Sequence, residues 1–136
     1  MTLAFSDRRT VSADPAAVWA VLTDWSRASE WLPGVEGMRA EGPLAVGTVL
    51  RFTARGAART STITALDPGR ALTLTSEQPG VRADYRYSLE SDGRGTTISL
   101  EADVETRGAM RLLGPVIRGA IAKEDGAQLE RLVALL

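Results

Sequence analysis

The sequence predicts an α+β fold: one antiparallel sheet of seven strands, two short helices inserted after the first strand, and a long helix at the C-terminus. Three observations predict it. A proline-started helical segment follows an N-terminal strand. The stretch from Val35 to Gly108 alternates with period two between turn signals. Beyond Gly114-Pro115 the helical period appears and continues to the C-terminus.

Residues 3–12 alternate loosely and read as the first strand. Asp14-Pro15 then starts a helix: the Asp14 carboxylate suits the free N–H groups of the first turn, and Pro15 at the first helical position gives up no hydrogen bond. Val18, Trp19 and Leu22 share one face of that helix, and Trp19 is expected in the core. Asp24 to Glu30 reads as a second short helical piece, closed by Pro33-Gly34, with Asp24 and Glu30 as surface or capping residues.

The next six strands are separated by Glu41-Gly42-Pro43, Arg55-Gly56, Asp67-Pro68-Gly69, Gln78-Pro79-Gly80 and Ser91 to Gly95. Leu50/Phe52/Ala54, Leu72/Leu74, Ala83/Tyr85/Tyr87/Leu89 and Ile98/Leu100/Ala102/Val104 fall on one face. Arg51, Arg82, Arg86, Glu101, Asp103 and Glu105 fall on the other, where cross-strand ion pairs are expected. After Gly114-Pro115 a helix of about 20 residues, on the order of 30 Å, can run to the C-terminus. Ile117, Ile121, Leu132, Leu135 and Leu136 form its apolar stripe, with Asp125 and Gln128 inside the stripe and Arg118 near its edge.

Composition narrows the function. The chain has 136 residues, 44% hydrophobic and 24% charged, with a net charge of −1, as expected of one globular domain spanning residues 1–136. Arginines and carboxylates are interleaved, so there is no concentrated basic face for nucleic acid. Without cysteine or histidine, the chain cannot form a disulfide framework, a thiol nucleophile, a Cys/His zinc site or a Ser-His arrangement. The first nine residues do not resemble a signal peptide, and no apolar run approaches a bilayer span. A cytoplasmic location is therefore expected. The glycines lie in turns and no phosphate-binding glycine loop is present. Neither a metal nor a cofactor is expected.

The segment Ala13-Asp14-Pro15-Ala16-Ala17-Val18-Trp19, then Leu22-Thr23-Asp24 and Trp31-Leu32-Pro33-Gly34-Val35, resembles the START-like (SRPBCC) superfamily of polyketide cyclases and dehydrases, lipid-transfer domains and related binding proteins. Gly47-Thr48, Leu66-Asp67-Pro68 and Gly95-Thr96-Thr97-Ile98 resemble its recurring turns. Leu32-Pro33-Gly34-Val35-Glu36 also looks like a turn found in the branch of that superfamily associated with carbon monoxide dehydrogenase. The resemblance implies the helix-grip fold, in which a curved sheet wraps the long helix. It also implies a cavity between them, with its mouth near the short helices and strand-connecting loops.

Combined with the alternation, that fold places Phe52, Leu74, Ser76, Tyr85, Tyr87, Met110, Leu113, Ile117 and Ile121 around the cavity. Tyr85 and Tyr87 are candidates to orient a ligand carbonyl or hydroxyl, because each carries a polar group within apolar walls. Otherwise their rings fill core. Trp25 and Trp31 are candidates for a lid or stacking surface, or alternatively staples for the short helices. Asp125, on the apolar stripe, is a candidate general acid or base, with Tyr87 as a second catalytic candidate and Arg118 as a candidate charge partner; Gln128 can only hydrogen-bond. The expected function is binding of a hydrophobic small molecule (a polyketide-like aromatic, an isoprenoid or quinone, or a lipid) by a monomer or homodimer. The alternatives are a polyketide cyclase/dehydrase-type enzyme using the same cavity and a co-chaperone-like protein-interaction domain.

Overall fold

The structure, a computed structural model, describes residues 1–136. Strand β1 (Thr2–Val11) leads into helix α1 (Pro15–Leu22) and a 3₁₀ helix (Trp25–Glu30). Strands β2 (Val35–Ala40), β3 (Val49–Ala54), β4 (Ala57–Asp67), β5 (Ala71–Gln78), β6 (Val81–Ser91) and β7 (Thr96–Thr106) follow. A second 3₁₀ helix (Gly108–Leu113), helix α2 (Gly114–Asp125) and helix α3 (Gln128–Val133) complete the order.

The start of α1 follows from local chemistry: Asp14 Oδ1 accepts the Ala17 N–H at 2.9 Å, and Pro15 occupies the first turn. Asp24 does the same for the 3₁₀ helix by accepting the Ser26 N–H at 3.2 Å, while Glu30 pairs with Arg27. The seven strands form one antiparallel sheet in the order β1-β7-β6-β5-β4-β3-β2, so α1 and the first 3₁₀ helix carry the chain from one edge to the other. The register shifts between Leu3 and Phe5, Glu36 and Arg39, and Ile63 and Ala65. Such bulges bend their strands and increase the twist, which suits a curved sheet.

The two faces are as the alternation predicts. On the outer face Arg86 bridges Glu101, at 3.2 Å, and Asp103. Arg82 turns along its own hairpin to Glu77 and Asp84, and Arg51 pairs with Glu41. On the inner face the core gathers at one end. Val18 and Leu22 of α1, Ala28 and Trp31 around the first 3₁₀ helix, and Leu129 and Leu132 of α3 meet Leu72, Leu89, Ile98 and Leu100 of the sheet. Trp19 packs against this core while staying partly exposed.

The long C-terminal helix is present in two segments, parted at Gly126-Ala127. At Gly126 the backbone closes so tightly that a Cβ would lie 2.4 Å from the Ala122 carbonyl oxygen, an approach only glycine permits. The two segments then differ in kind. In α3, Gln128, Leu129 and Leu132 are buried, whereas Gly114 is the only buried residue of α2. The apolar stripe expected along one continuous helix is therefore split: Leu132 plugs the core, Ile117 and Ile121 do not, and Leu129 joins the core in their place.

Candidate functional site

Helix α2 rests on β1 and β7 and does not pack closely on β3–β5. The concave faces of those strands stay uncovered, leaving a cavity of about 740 Å³. Phe52, Leu74, Ser76, Tyr85 and Tyr87 form its sheet wall, and Met110, Ile117 and Ile121 form its helix wall, together with Asp125 and Gln128. The exposed lining residues Arg55, Arg59, Gln78, Ala120 and Glu124 mark the mouth, between the β3–β4 and β5–β6 hairpin tips and α2.

Trp25, Trp31 and Leu113 do not contribute to the wall. The mouth lies between the hairpin tips and α2, where Arg55 stands against Gly34; Leu32 and Val35 line the cavity, but neither tryptophan does. Trp31 is fully buried and meets the Tyr87 ring edge-on, centroids 5.9 Å apart, acting as a staple; Trp25 packs against the core. Leu113 is half-exposed at the end of the second 3₁₀ helix and lies outside the cavity lining.

The polar row of the cavity follows from two periodicities. Tyr85 and Tyr87 are two apart on β6, about 7 Å along the strand, and point to the same face. Asp125 and Gln128 are three apart on the C-terminal helix, a rise of about 5 Å. The two rows meet: the Tyr85 hydroxyl donates to Asp125 Oδ2 at 2.6 Å, and the Tyr87 hydroxyl donates to Gln128 Oε1 at 2.6 Å. Lower on the sheet, the Ser61 and Ser76 hydroxyls are 2.7 Å apart. The Gln128 amide nitrogen makes no hydrogen bond within the protein. It is not sealed from solvent either, since the only buried side-chain polar atom without a partner is Trp31 Nε1. Gln128 lines the cavity, so its N–H donors are available to a ligand there.

Charge at the mouth comes from a residue that the sequence marked only as a turn. Arg55 and Gly56 both have positive φ (50° and 82°), which gives the two-residue turn matching the twist of the β3–β4 hairpin. From that tip the Arg55 guanidinium reaches the Glu124 carboxylate at 3.6 Å, the Glu124 carbonyl oxygen at 3.4 Å and Asp125 Oδ1 at 3.8 Å. Arg55, and not Arg118, is thus the cation beside Asp125. Burial raises the Asp125 carboxyl above the usual carboxylate range, against the opposing effects of the Tyr85 hydrogen bond and Arg55, with Glu124 adding repulsion. Burial, and then the neighbouring Asp125 charge, push both phenols up, Tyr85 further through its hydrogen bond to Asp125, so both remain neutral donors. No three His, Cys, Asp or Glu side chains converge as metal ligands, and no helix is long and apolar enough to cross a membrane.

The sequence profile of the family described as "Polyketide cyclase / dehydrase and lipid transport" matches residues 2–136. The chain belongs to this family. A search of the curated proteins returns no match. Among solved structures, the START superfamily protein from Mycobacterium smegmatis superposes with a TM-score of 0.75 at 15% identity, covering 96% of this chain and 94% of that one. The di-domain ARO/CYC StfQ from the steffimycin biosynthetic pathway gives 0.72 at 14% identity, over 96% of this chain and 49% of that one, so this polyketide cyclase family member spans about half its length. A Thalictrum norcoclaurine synthase gives 0.69 at 17% identity, over 96% and 91%. At these identities the similarity establishes the shared fold, the START-like helix grip. Membership of the polyketide cyclase, dehydrase and lipid transport family supports a role in binding a small hydrophobic ligand or in cyclase chemistry.

Proposed function

We propose that this chain binds an apolar small molecule that carries a carbonyl or similar acceptor at one end, of the polyketide-like aromatic, isoprenoid, quinone or lipid classes. The observation that carries this reading is the Gln128 amide. Its oxygen is held by Tyr87 and its N–H donors are left for a ligand in a cavity of about 740 Å³ whose lining residues are in the majority hydrophobic. That volume lies within the range of small-molecule sites, where a few placed polar groups set orientation. The tyrosines act indirectly. Each spends its hydroxyl proton on the helix and presents an oxygen lone pair, which a ligand hydroxyl can use but a ligand carbonyl cannot.

One observation favours a second reading, a cyclase-type enzyme. Asp125 is a carboxylate raised by burial, in the same row as the Gln128 donors. It can take a proton from a carbon flanked by carbonyls while Gln128 stabilises the enolate oxygen. The new carbon–carbon bond then forms, and the proton returns to the alkoxide.

The test starts with native mass spectrometry of protein isolated from its own cells, followed by identification of what denaturation releases. Titration with an apolar fluorescent probe follows. A defined apolar molecule at near one equivalent, and probe uptake abolished by Ile117→Trp in a folded protein, are the expected results. Empty protein that takes up no probe overturns the reading. Asp125→Asn then separates the two readings: a binder keeps its affinity, whereas an enzyme keeps affinity and loses turnover.

A further inference from the structure

We propose that the segment from Arg107 to Val116 is a docking surface for an anionic lipid bilayer, placed beside the cavity mouth. Of the eight exposed large apolar side chains in the molecule, three lie within five residues here: Leu112 is 88% exposed, Leu113 47% and Val116 68%. Single exposed leucines need no explanation, but a cluster of them at a helix start does.

The charge around the cluster is equally uneven. Between Thr106 and Glu124 the chain has Arg107, Arg111, Arg118 and Lys123 and no acidic residue, in a protein whose net charge is −1. Arg107 has a long contact with Glu105, at 3.9 Å, while Arg111, Arg118 and Lys123 have no carboxylate partner. Apolar side chains flanked by arginines match the two layers of a bilayer surface. Leucine and valine enter the acyl boundary and the guanidinium groups meet lipid phosphates.

The same charge pattern disfavours a second copy of this chain. A two-fold contact through the patch would set arginines against arginines. Met110 within the segment, and Ile117 and Ala120 in the turn of α2 that follows it, line the cavity, so a bilayer seated on the patch borders the cavity mouth. An apolar ligand could then move between bilayer and cavity with little exposure to water. Leu112 and Val116 are outside the cavity lining, so the surface can be tested apart from ligand binding.

The experiment is flotation of the full chain with phosphatidylcholine vesicles, with and without phosphatidylglycerol, at low and high salt. The expected result is co-flotation with the anionic vesicles, weakened by salt. Arg107→Gln and Arg111→Gln should each lower partitioning by about five-fold. The double variant L112E/V116E should lower it at least ten-fold, while its circular dichroism and apolar-probe uptake match the unmodified protein. Failure of the unmodified protein to float with anionic vesicles overturns the proposal, as does flotation of L112E/V116E equal to it. Light scattering that shows a dimer dissolved by L112E/V116E, with no vesicle binding, assigns the patch to a second copy and also overturns it.

Discussion

Replacing Tyr87 by Phe tests the polar row directly. Tyr87 and Gln128 are 2% and 3% exposed, and their hydrogen bond of 2.6 Å joins β6 to α3. Phenylalanine keeps the ring against Trp31 and removes only the hydroxyl. The change loses one hydrogen bond, a net effect of about 1 kcal/mol, and leaves Gln128 Oε1 without its donor, which costs roughly 1–3 kcal/mol when no water replaces it. The expected loss is about 2–3 kcal/mol, or a fall in Tm of roughly 5–10 °C at this chain length. Gln128→Leu should cost a similar amount, because it strands the Tyr87 hydroxyl. The double variant Y87F/Q128L removes both polar groups and should lose less than the sum, with a coupling on the order of 1–2 kcal/mol. Urea unfolding of the four proteins at neutral pH measures this cycle. Additive losses, or a loss below about 0.5 kcal/mol for Tyr87→Phe, would refute the reasoning and show that cavity water satisfies the amide.

Further outcomes concern the neighbouring residues. Because the folded protein holds the Asp125 proton to higher pH than the unfolded chain, whose value lies near 3.8, the folded state binds more protons in that window. The Asp125 contribution to stability is therefore complete below that value and falls as pH rises through the folded one; Asp125→Asn should flatten this slope in a series of thermal melts. Arg55→Gln should change stability by less than about 1 kcal/mol, since its ion pairs are half-exposed, yet speed probe dissociation several-fold in stopped-flow measurements by untying the β3–β4 tip from α2. Gly80→Ala should destabilise by about 1–3 kcal/mol in chemical denaturation. Its φ is +77°, and a Cβ there would lie 2.5 Å from Met110 Cγ, so relief displaces Met110 and weakens probe affinity as well.

The sheet was legible because one of its faces is wet. Ala83, Tyr85, Tyr87 and Leu89 alternate with Arg82 and Arg86, and a period of two admits one assignment of faces. Phe52, Leu74, Ser76 and Ile117 could be placed around the cavity from the same periodicities once a fold was supposed. What stayed hidden depends on contacts between distant elements. Whether Trp31 lines a mouth or fills the core is decided by which end of the sheet α3 closes, and that follows from Leu129 and Leu132 packing beyond a helix break. The helix parts at Gly126-Ala127, and an isolated glycine in a helical pattern gives no such signal. Arg55 was visible as part of a turn, but its reach to Glu124 needs the twist of the whole β3–β4 hairpin.

The parting of the C-terminal helix has a consequence for how such a chain can change over generations. The turn that holds the core, with Leu129 and Leu132, is α3; the turns that shape the cavity, with Ile117 and Ile121, belong to α2, where Gly114 is the only buried residue. Substitutions that resize the cavity can therefore accumulate in α2 without drawing on the packing that keeps the protein folded. Tyr85 grips the adaptable segment through Asp125, and Tyr87 grips the fixed one through Gln128. A lineage acquiring a new ligand would be expected to vary first at 117, 120 and 121 and to change Leu129 and Leu132 last.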